Sequence, residues 1–214
     1  MSEHESERPV EQSEQGSDRP AGKVRRRDRR FDEPEWMDRL LQMGSIAHLA
    51  FVWQGRPMIH AQNYWLDGGV IYWHGAQAGL LREAVSAGPL DAALSVGEHG
   101  RLLIADTADE FSTEYASVVV HGTVRIVEDD AERQRVLAAI VAKYPPQLLE
   151  GRDYQAADAA SVKRTTVYRM EIESRTGKHN IKPASWPSLP YPDESFIELE
   201  RAAGRFTLLP KDLA

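Results

Sequence analysis

The 214-residue sequence predicts a mainly β, antiparallel fold that is closed or partly closed into a barrel, with short helices at its corners. Two observations indicate this class. β-Rich runs recur between glycine and proline turns, and Asp67-Gly68-Gly69 is a strong hairpin signal. Amphipathic helical patterns are few, and they separate groups of strands. The predicted order is helix, three strands, helix, three strands, helix and strand.

The first ordered element is predicted to be a helix. Asp32 is a suitable N-cap, Pro34 fits the first helical turn, and Gly44 is placed to end the helix. Three strands should follow and pair as an antiparallel meander. They cover 46–53, 58–66 and 70–74.

The second half of the chain continues this alternation of strands and helices. It is predicted to hold a short helix at 80–87, two strands at 91–96 and 101–105 joined by a turn at 97–100, and a long strand at 115–127. A helix from Asp129 or Asp130 to Lys143 and a closing strand at 165–172 should follow. Gly122 interrupts the longest strand, which indicates a bulge or a close backbone approach. The stretch 147–161 is ambiguous, and one interpretation is a short helix over the barrel mouth.

Composition excludes several classes of function. The net charge of -7 argues against nucleic-acid binding by the whole surface. The absence of cysteine excludes disulfides, thiolate metal sites and a cysteine nucleophile. No histidine or carboxylate cluster has metal-ligand spacing, so no metal site is expected. Without a signal-peptide pattern or an apolar run of membrane-spanning length, we expect a cytoplasmic protein with no membrane partner.

The sequence divides into three parts. Residues 1–31 are rich in charged and polar side chains, and we expect a disordered tail. Residues 32–180 form the predicted folded domain. Residues 181–214 hold several prolines and should form an extended segment that lies on the surface or on a partner.

The candidate site is a predicted strand, turn and helix over 70–84, with the sequence VIYWHGAQAGLLREA. Its small residues let the backbone approach an anion such as a phosphate, although an ordinary tight connection gives the same pattern. His74 ends the strand just before the turn. Gln62 and Asn63, on the preceding strand, offer amide groups for the polar edge of a flat ring, with aromatic residues nearby. No catalytic acid–base pair is visible, so the catalytic residues remain unassigned.

Three segments together resemble the pyridoxamine 5′-phosphate oxidase-like proteins, which are flavin-binding split barrels. They are HGAQAGLLREA, EYASVVVHGTVRIVED and VYRMEIESRTGKHN, in a match that covers roughly 34–180. The branch that holds nitroimidazole-resistance proteins is the most similar. The resemblance implies a homodimer with FMN in a groove between two barrels. It assigns ligand contact to His74, the phosphate region to Gly75, Ala76, Gln77 and Gly79, and the flavin ring to Gln62 and Asn63.

The sequence departs from this family pattern in two places. Relatives often carry a serine and a basic residue in the phosphate turn, where this chain has Ala78, Gly79 and Leu80. Arg82, one turn later, is expected to reach the phosphate instead. Relatives also often show Asn-Tyr-Arg-Ser where this chain has Glu-Tyr-Ala-Ser, so a second basic group is missing. Tyr115 in that motif is expected near the flavin ring.

The resemblance implies an FMN-binding oxidoreductase that acts on a small aromatic or nitro compound. Because a phosphate with fewer cationic partners binds more weakly, a second hypothesis stays open. It is a non-catalytic flavin- or haem-binding protein, or an accessory protein with a degenerate site. Related split barrels bind haem or a deazaflavin, and this chain could use either, or none.

Overall fold

The computed structural model describes residues 26–191, in which eight strands, four α-helices and a 3₁₀ turn at Arg27–Arg29 are formed. The strands are β1 Ala47–Trp53, β2 Arg56–Gln62, β3 Trp65–Asp67, β4 Val70–Ala76, β5 Leu90–Leu103, β6 Ser112–Ile126, β7 Thr165–His179 and β8 Ser188–Leu189. The helices are α1 Pro34–Met43, α2 Leu80–Ser86, α3 Asp130–Lys143 and α4 Ala159–Arg164.

All eight strands belong to one antiparallel sheet, with the order β2-β1-β5-β6-β7-β4-β3 and with β8 paired to β5. The long β6–β7 ribbon runs through the middle of this order. Its paired residues extend from Ile126 and Tyr168 at one end to Ala116 and His179 at the other. The ribbon therefore connects two distant parts of the molecule.

The sheet buries a different cluster on each of its faces. The larger cluster fills the barrel and includes Trp73, Tyr168 and Met170 together with the buried faces of α1 and α2. The smaller cluster lies under α3 and includes Tyr72 and Val167. Because successive side chains of a strand point to opposite faces, neighbours such as Tyr72 and Trp73 belong to different clusters.

The structure confirms most helix boundaries predicted from sequence. Gly44 ends α1, and its N–H donates to the Leu40 carbonyl at 2.9 Å. Asp129 caps α3 by accepting from the Glu132 N–H at 2.7 Å. The prediction for Asp32 was wrong, because Glu33 occupies the N-cap position without a side-chain cap. Asp32 instead pairs with Arg30 at 2.5 Å.

Two strand predictions were also wrong. The predicted strand 58–66 is broken at residues 63–64 into β2 and β3, which lie at opposite ends of the sheet order. The first three predicted strands are therefore two separate hairpins rather than one meander. The predicted turn at 97–100 does not form, since β5 runs continuously through it and absorbs its irregularity as a register shift between His99 and Leu102. A long partner, β6, supplies backbone hydrogen bonds that override the local glycine signal.

The predicted irregularity at Gly122 is confirmed. The β6–β7 register shifts between His121 and Gly122. A Cβ atom at Gly122 would overlap the carbonyl oxygen of Glu171, so only glycine fits this approach. The closing strand extends beyond its predicted end at 172, and β7 continues to His179.

The predicted terminal segments lie partly outside the described residues, namely 1–25 of the tail and 192–214 of the extension. Residues 181–191, called the strap here, lie along β5. Leu102 pairs with Leu189, and the Ile104 N–H donates to the Pro187 carbonyl at 3.0 Å. Within residues 26–191, no helix is long and apolar enough to cross a membrane.

Candidate functional site: a turn and a cleft on opposite faces of one strand

The turn after β4 is fixed to the start of β7. Gly75 pairs with Thr166, where a Cβ on the glycine would lie 3.3 Å from the Tyr168 ring. The Thr166 hydroxyl donates to the Ala76 carbonyl at 3.1 Å, and the Gln77 amide donates to the Lys163 carbonyl at 2.8 Å. These contacts hold the turn in a defined position before α2 begins.

Gly79 ends the turn in a conformation that favours glycine. Its φ is +109°, which L side chains rarely adopt, and nothing lies within 4 Å of the position of an added Cβ. The open space beside Gly79 leaves its backbone accessible to another molecule. The turn is therefore held in place by its contacts with the start of β7, and its backbone is accessible at Gly79.

The barrel face of this region holds two buried donors without partners. The Nη1 of Arg82 and the Nε1 of Trp73 are buried and form no hydrogen bond within residues 26–191. Trp73 stacks on Tyr168 with ring centroids 5.7 Å apart. Burial raises the pKa of Tyr168, and the nearby Arg82 guanidinium opposes that rise. We call Trp73, Gly75, Gly79, Arg82 and Tyr168 the barrel-face corner.

His74 points away from this corner. It follows Tyr72 by two residues, so both side chains lie on the face covered by α3. There it lines a cleft of about 750 Å³ between β4, α3, α4 and the loop that joins the two helices. Because side chains alternate along β4, His74 lies on the opposite face of the sheet from Trp73 and Gly75, its neighbours in the sequence.

The cleft has one mainly apolar wall and one polar wall. The α3 wall presents Ala131, Gln134, Arg135, Leu137, Ala138, Ile140 and Val141. The opposite wall presents Glu150, Tyr154, Gln155, Ala156, Ala157, Asp158, Ser161 and Thr165. Asp158 caps α4 by accepting from the Ser161 N–H at 2.6 Å, which fixes the second wall.

Partial burial in the cleft wall lowers the pKa of His74, which favours the neutral form of its imidazole. Arg135 lies at the cleft and pairs with Asp67 at 2.7 Å. Its guanidinium also stacks over Trp65, 5.1 Å from the ring centroid. The cleft thus combines a neutral imidazole with a guanidinium held by aromatic and carboxylate neighbours.

Tyr115 lies at the other end of the β6–β7 ribbon. Ile126 of β6 pairs with Tyr168, and Tyr115 lies about 35 Å farther along the strand, at about 3.3 Å per residue. Its hydroxyl accepts from Arg29 at 3.5 Å, and Lys178 lies 5.8 Å from its ring centroid. The cations missing from the Glu-Tyr-Ala-Ser motif are therefore present beside Tyr115, but they come from distant parts of the sequence.

Gln62 and Asn63 occupy the break between β2 and β3. Gln62 pairs with Ala47 at the edge of the sheet, and Asn63 is exposed. Neither side chain hydrogen-bonds to the turn after β4 within residues 26–191. The structure thus brings together the turn residues Gly75 to Arg82, and it does not bring Gln62, Asn63 or Tyr115 to them within one chain.

Sequence reasoning missed the cleft and its α3 and α4 walls. The alternation of β4 was the available signal, because it places Trp73 and His74 on opposite faces. Sequence reasoning also missed Lys143, whose Nζ lies 3.6 Å from the Tyr64 ring centroid. Among residues 26–191, no group of three or more His, Cys, Asp or Glu side chains is arranged to hold a metal ion.

The fold and the family match define a class of protein, the split barrels of the pyridoxamine 5′-phosphate oxidase type. Residues 33–179 match the family model described as pyridoxamine 5′-phosphate oxidase. The match covers more than half of the chain, and the chain belongs to this family. No curated protein matches the sequence.

Solved structures confirm the predicted split-barrel fold. The flavocytochrome Anf3 from Azotobacter vinelandii is 23% identical, with 81% of this chain and 84% of that chain covered at a TM-score of 0.67. The FAD and heme binding protein from Mycobacterium smegmatis is 21% identical, with 86% of this chain and 95% of that chain covered at a TM-score of 0.65. A candidate 5-nitroimidazole antibiotic resistance protein from Bacteroides thetaiotaomicron is 16% identical, with 70% of this chain and 86% of that chain covered at a TM-score of 0.59.

Proposed function

We propose that this protein is a flavin-dependent oxidoreductase that acts on a small aromatic or nitro compound. Its FMN phosphate would lie at the barrel-face corner. The observation that carries this proposal is the buried Nη1 of Arg82, which has no partner within residues 26–191. Because a buried donor without a partner is costly, an anionic ligand at this position would satisfy it.

The corner residues fit a phosphate. Arg82 supplies a guanidinium that can form two parallel bonds to phosphate oxygens. Gly79 leaves the backbone open to close approach, and the Gln77 contact with Lys163 holds the turn in place. A bound flavin would supply hydride and electron transfer, and the protein would supply binding and orientation. Gln62 and Asn63 are proposed to contact the polar edge of the ring.

The site is proposed to require a homodimer. Tyr115 lies about 35 Å along β6 from the level of Tyr168, too far for both ends to contact one ring within a single chain. A second copy could place its Tyr115, with Arg29 and Lys178, against the flavin. This arrangement would supply the second set of cations from across the interface.

The second candidate is a haem- or flavin-binding protein without turnover. The cleft beside His74 favours it, since this cavity is separate from the corner and has a neutral imidazole in its wall. One of the similar structures is named a FAD and heme binding protein, and another is named a flavocytochrome. A deazaflavin would use the same corner as FMN, because it has the same flat ring and phosphate.

The visible spectrum of the purified protein tests these candidates. Flavin bands that are retained through gel filtration, followed by bleaching with a nicotinamide nucleotide and recovery with a nitroaromatic acceptor, would support the oxidoreductase. Flavin that binds but is never reduced would support the binding protein. A colourless protein that takes up neither FMN, FAD nor deazaflavin would overturn the flavin proposal.

Arg82→Ala is expected to weaken FMN binding by about 1–3 kcal/mol, the range for loss of a charge-assisted contact. Arg82→Lys should recover part of that loss. Quenching of flavin fluorescence measures the affinity, and Arg125→Ala, an exposed change on β6, is the matched control. Equal affinities for wild type and Arg82→Ala would place the phosphate elsewhere.

A further inference from the structure

Lys143, the last residue of α3, holds its amine in an unusual position for a lysine at the end of a helix. Lysines in the last turn commonly bind the free backbone carbonyls of the helix or extend into water. The Nζ of Lys143 is instead buried, and it has no hydrogen-bond acceptor within residues 26–191. The amine is therefore placed away from the groups that normally hold a lysine in its charged form.

Two tyrosine rings surround this amine. Nζ lies 3.6 Å from the ring centroid of Tyr64 and 5.3 Å from that of Tyr144. The Tyr64 hydroxyl donates to the Leu41 carbonyl at 2.6 Å, and the Tyr144 hydroxyl donates to the Ser45 carbonyl at 2.6 Å. These bonds fix both rings, and the amine contacts aromatic surfaces in place of oxygen acceptors.

This environment favours the neutral amine. An ammonium group has three N–H donors, and contact with a ring face replaces none of their hydrogen bonds. Burial lowers the pKa of Lys143 from 10.5 to about 8. Burial also raises the pKa of Tyr64 and of Tyr144, so neither phenol carries a negative charge near neutral pH. A neutral lysine amine in apolar surroundings is a nucleophile for carbonyl compounds.

Lys143 also lines a cleft, which lies between α1, β3 and α3 and is separate from the His74 cleft. Its volume of about 390 Å³ falls within the range for small-molecule pockets. Ala139 and Ala142 lie on the same side of α3 as Lys143, and their small side chains leave room beside the lysine stem. Because this four-carbon stem is flexible, Nζ can turn from the Tyr64 ring into the cleft.

The lining indicates the class of ligand. Trp65 and Leu66 supply an aromatic and an aliphatic surface, and Gln42 supplies an amide. Lys143 is the only charged residue among the described residues that line this cleft. A phosphorylated or carboxylated ligand would therefore find no cation other than the amine itself. The lining fits an uncharged aromatic compound.

We propose that Lys143 forms a reversible Schiff base with an uncharged aromatic aldehyde bound in this cleft. The amine nitrogen attacks the carbonyl carbon to give a carbinolamine, which then loses water. A C=N bond forms, the C=O bond breaks, and the oxygen leaves as water with the two amine hydrogens. The step needs no oxidant or reductant, and it does not depend on a flavin.

Reductive trapping on the purified full-length protein tests the proposal. Benzaldehyde and sodium cyanoborohydride are added at neutral pH, so that hydride converts each imine to a stable benzylamine, which peptide mass spectrometry then locates. Lys143 should be labelled at least about tenfold faster than Lys163, which is exposed on α4. Without the reductant, dilution should restore the free amine. Labelling of Lys143 no faster than that of Lys163 would overturn the proposal.

Two pairs of variants separate the nucleophile from the cleft. Lys143→Arg keeps a cation beside Tyr64 and should lose the fast labelling, whereas Lys163→Arg should retain it. Ala142→Trp should fill the cleft and slow the labelling of Lys143 at least about tenfold, whereas Ala160→Trp, an exposed change on α4, should not. Circular dichroism reports folding. Unchanged labelling of Lys143 in folded Ala142→Trp would contradict binding in the cleft.

A second aldehyde and a flavin-site variant complete the test. The ratio of labelling at Lys143 to that at Lys163 should be larger with benzaldehyde than with acetaldehyde, since the ratio removes the intrinsic reactivity of each aldehyde. Equal ratios would contradict the aromatic ligand class. Arg82→Ala should leave the labelling unchanged, whether or not flavin binds. Loss of labelling in folded Arg82→Ala would show that the two sites are not independent and would contradict the inference.

Discussion

The two ends of the β6–β7 ribbon differ in whether their buried hydrogen-bond donors have partners. At the strap end, Arg101 donates to both carboxylate oxygens of Glu114 at 2.7 and 2.8 Å. It also donates to the hydroxyl of Ser188 and to the carbonyls of Lys182, Pro183 and Ala184. At the other end, Arg82 and Trp73 keep buried donors without partners in the described residues.

This difference supports the proposal that Arg82 binds a ligand, while Arg101 stabilises the fold. Where the fold itself satisfies a buried polar group, the group stabilises the structure. Where the fold buries a donor and provides no acceptor, as at Arg82, we propose that a ligand supplies the acceptor. The Arg101 guanidinium holds the pKa of Glu114 down to about 2, which shows how fully that carboxylate is engaged.

The largest effect is expected from Gly122→Ala, because Gly122 lies on β6 between the two ends. The new methyl group would overlap the Glu171 carbonyl and force the strands apart. We expect the free energy of unfolding to fall by about 3 kcal/mol, the upper part of the range for overpacking. Urea denaturation measures this, and hydrogen exchange should show loosening at both ends.

The matched control is Gly97→Ala, on the neighbouring strand β5. There an added Cβ would lie in ordinary contact, 3.4 Å from the Ala116 carbonyl oxygen. Stability close to wild type is expected for this variant. Comparable losses in both variants would mean that the bulge at Gly122 has no special role in coupling the two ends.

Glu114→Gln should loosen the strap end alone, with an expected loss of about 1–2 kcal/mol from weaker charge-assisted bonds. Limited proteolysis should cut near the strap faster, while flavin and haem binding stay unchanged. Glu110→Gln, at an exposed position, serves as the control. Altered cofactor affinity in Glu114→Gln would show that the strap end takes part in a ligand site, either of its own chain or across the proposed dimer interface.

Glu114 also sets a pH dependence. Its folded-state pKa of about 2 lies below the ordinary value of 4.5, so the unfolded state binds more protons between these values. The stability that Glu114 contributes is therefore complete above about pH 4.5 and is lost as the pH falls toward 2. This acid-dependent component should be absent from Glu114→Gln.

The smallest effect is expected at Lys143, near the C-terminal end of α3. Burial lowers the pKa of Lys143 to about 8, so above that pH the unfolded state holds more protons than the folded state. The shift from 10.5 to about 8 corresponds to about 2 kcal/mol between pH 7 and 9.5. Because Lys143 is partly exposed, we expect solvent to reduce this rise in stability to about 1 kcal/mol, and Lys143→Met should remove it. Denaturant unfolding at both pH values gives the measurement.

Exposed Lys163→Met on α4 is the control for this change. In this variant the free energy of unfolding should differ between pH 7 and 9.5 by the same amount as in wild type. If Lys143→Met retains the full rise, the rise comes from other groups, and Lys143 does not share the unsatisfied character of Arg82 and Trp73.

Local patterns predicted the elements whose signals are short-range. The Asp129 cap, the end of α1 at Gly44 and the irregularity at Gly122 depend on backbone conformation within a few residues, and the structure confirms them. The predicted turn at 97–100 failed because β6 pairs along the whole of β5. Similarly, the break at residues 63–64 reflects the different partners of β2 and β3, which a local pattern does not contain.

The sequence by itself determined the split-barrel family and the small-residue turn after β4, because both depend on patterns along the chain. Only the tertiary structure decided which face of the sheet each residue around this turn occupies. The packing of α2 brought Arg82 beside Tyr168, and the packing of α3 and α4 made a cleft around His74. Because side chains alternate along a strand, adjacent residues of the motif lie on opposite faces of the sheet, and only the helices packed on each face decide what surrounds them.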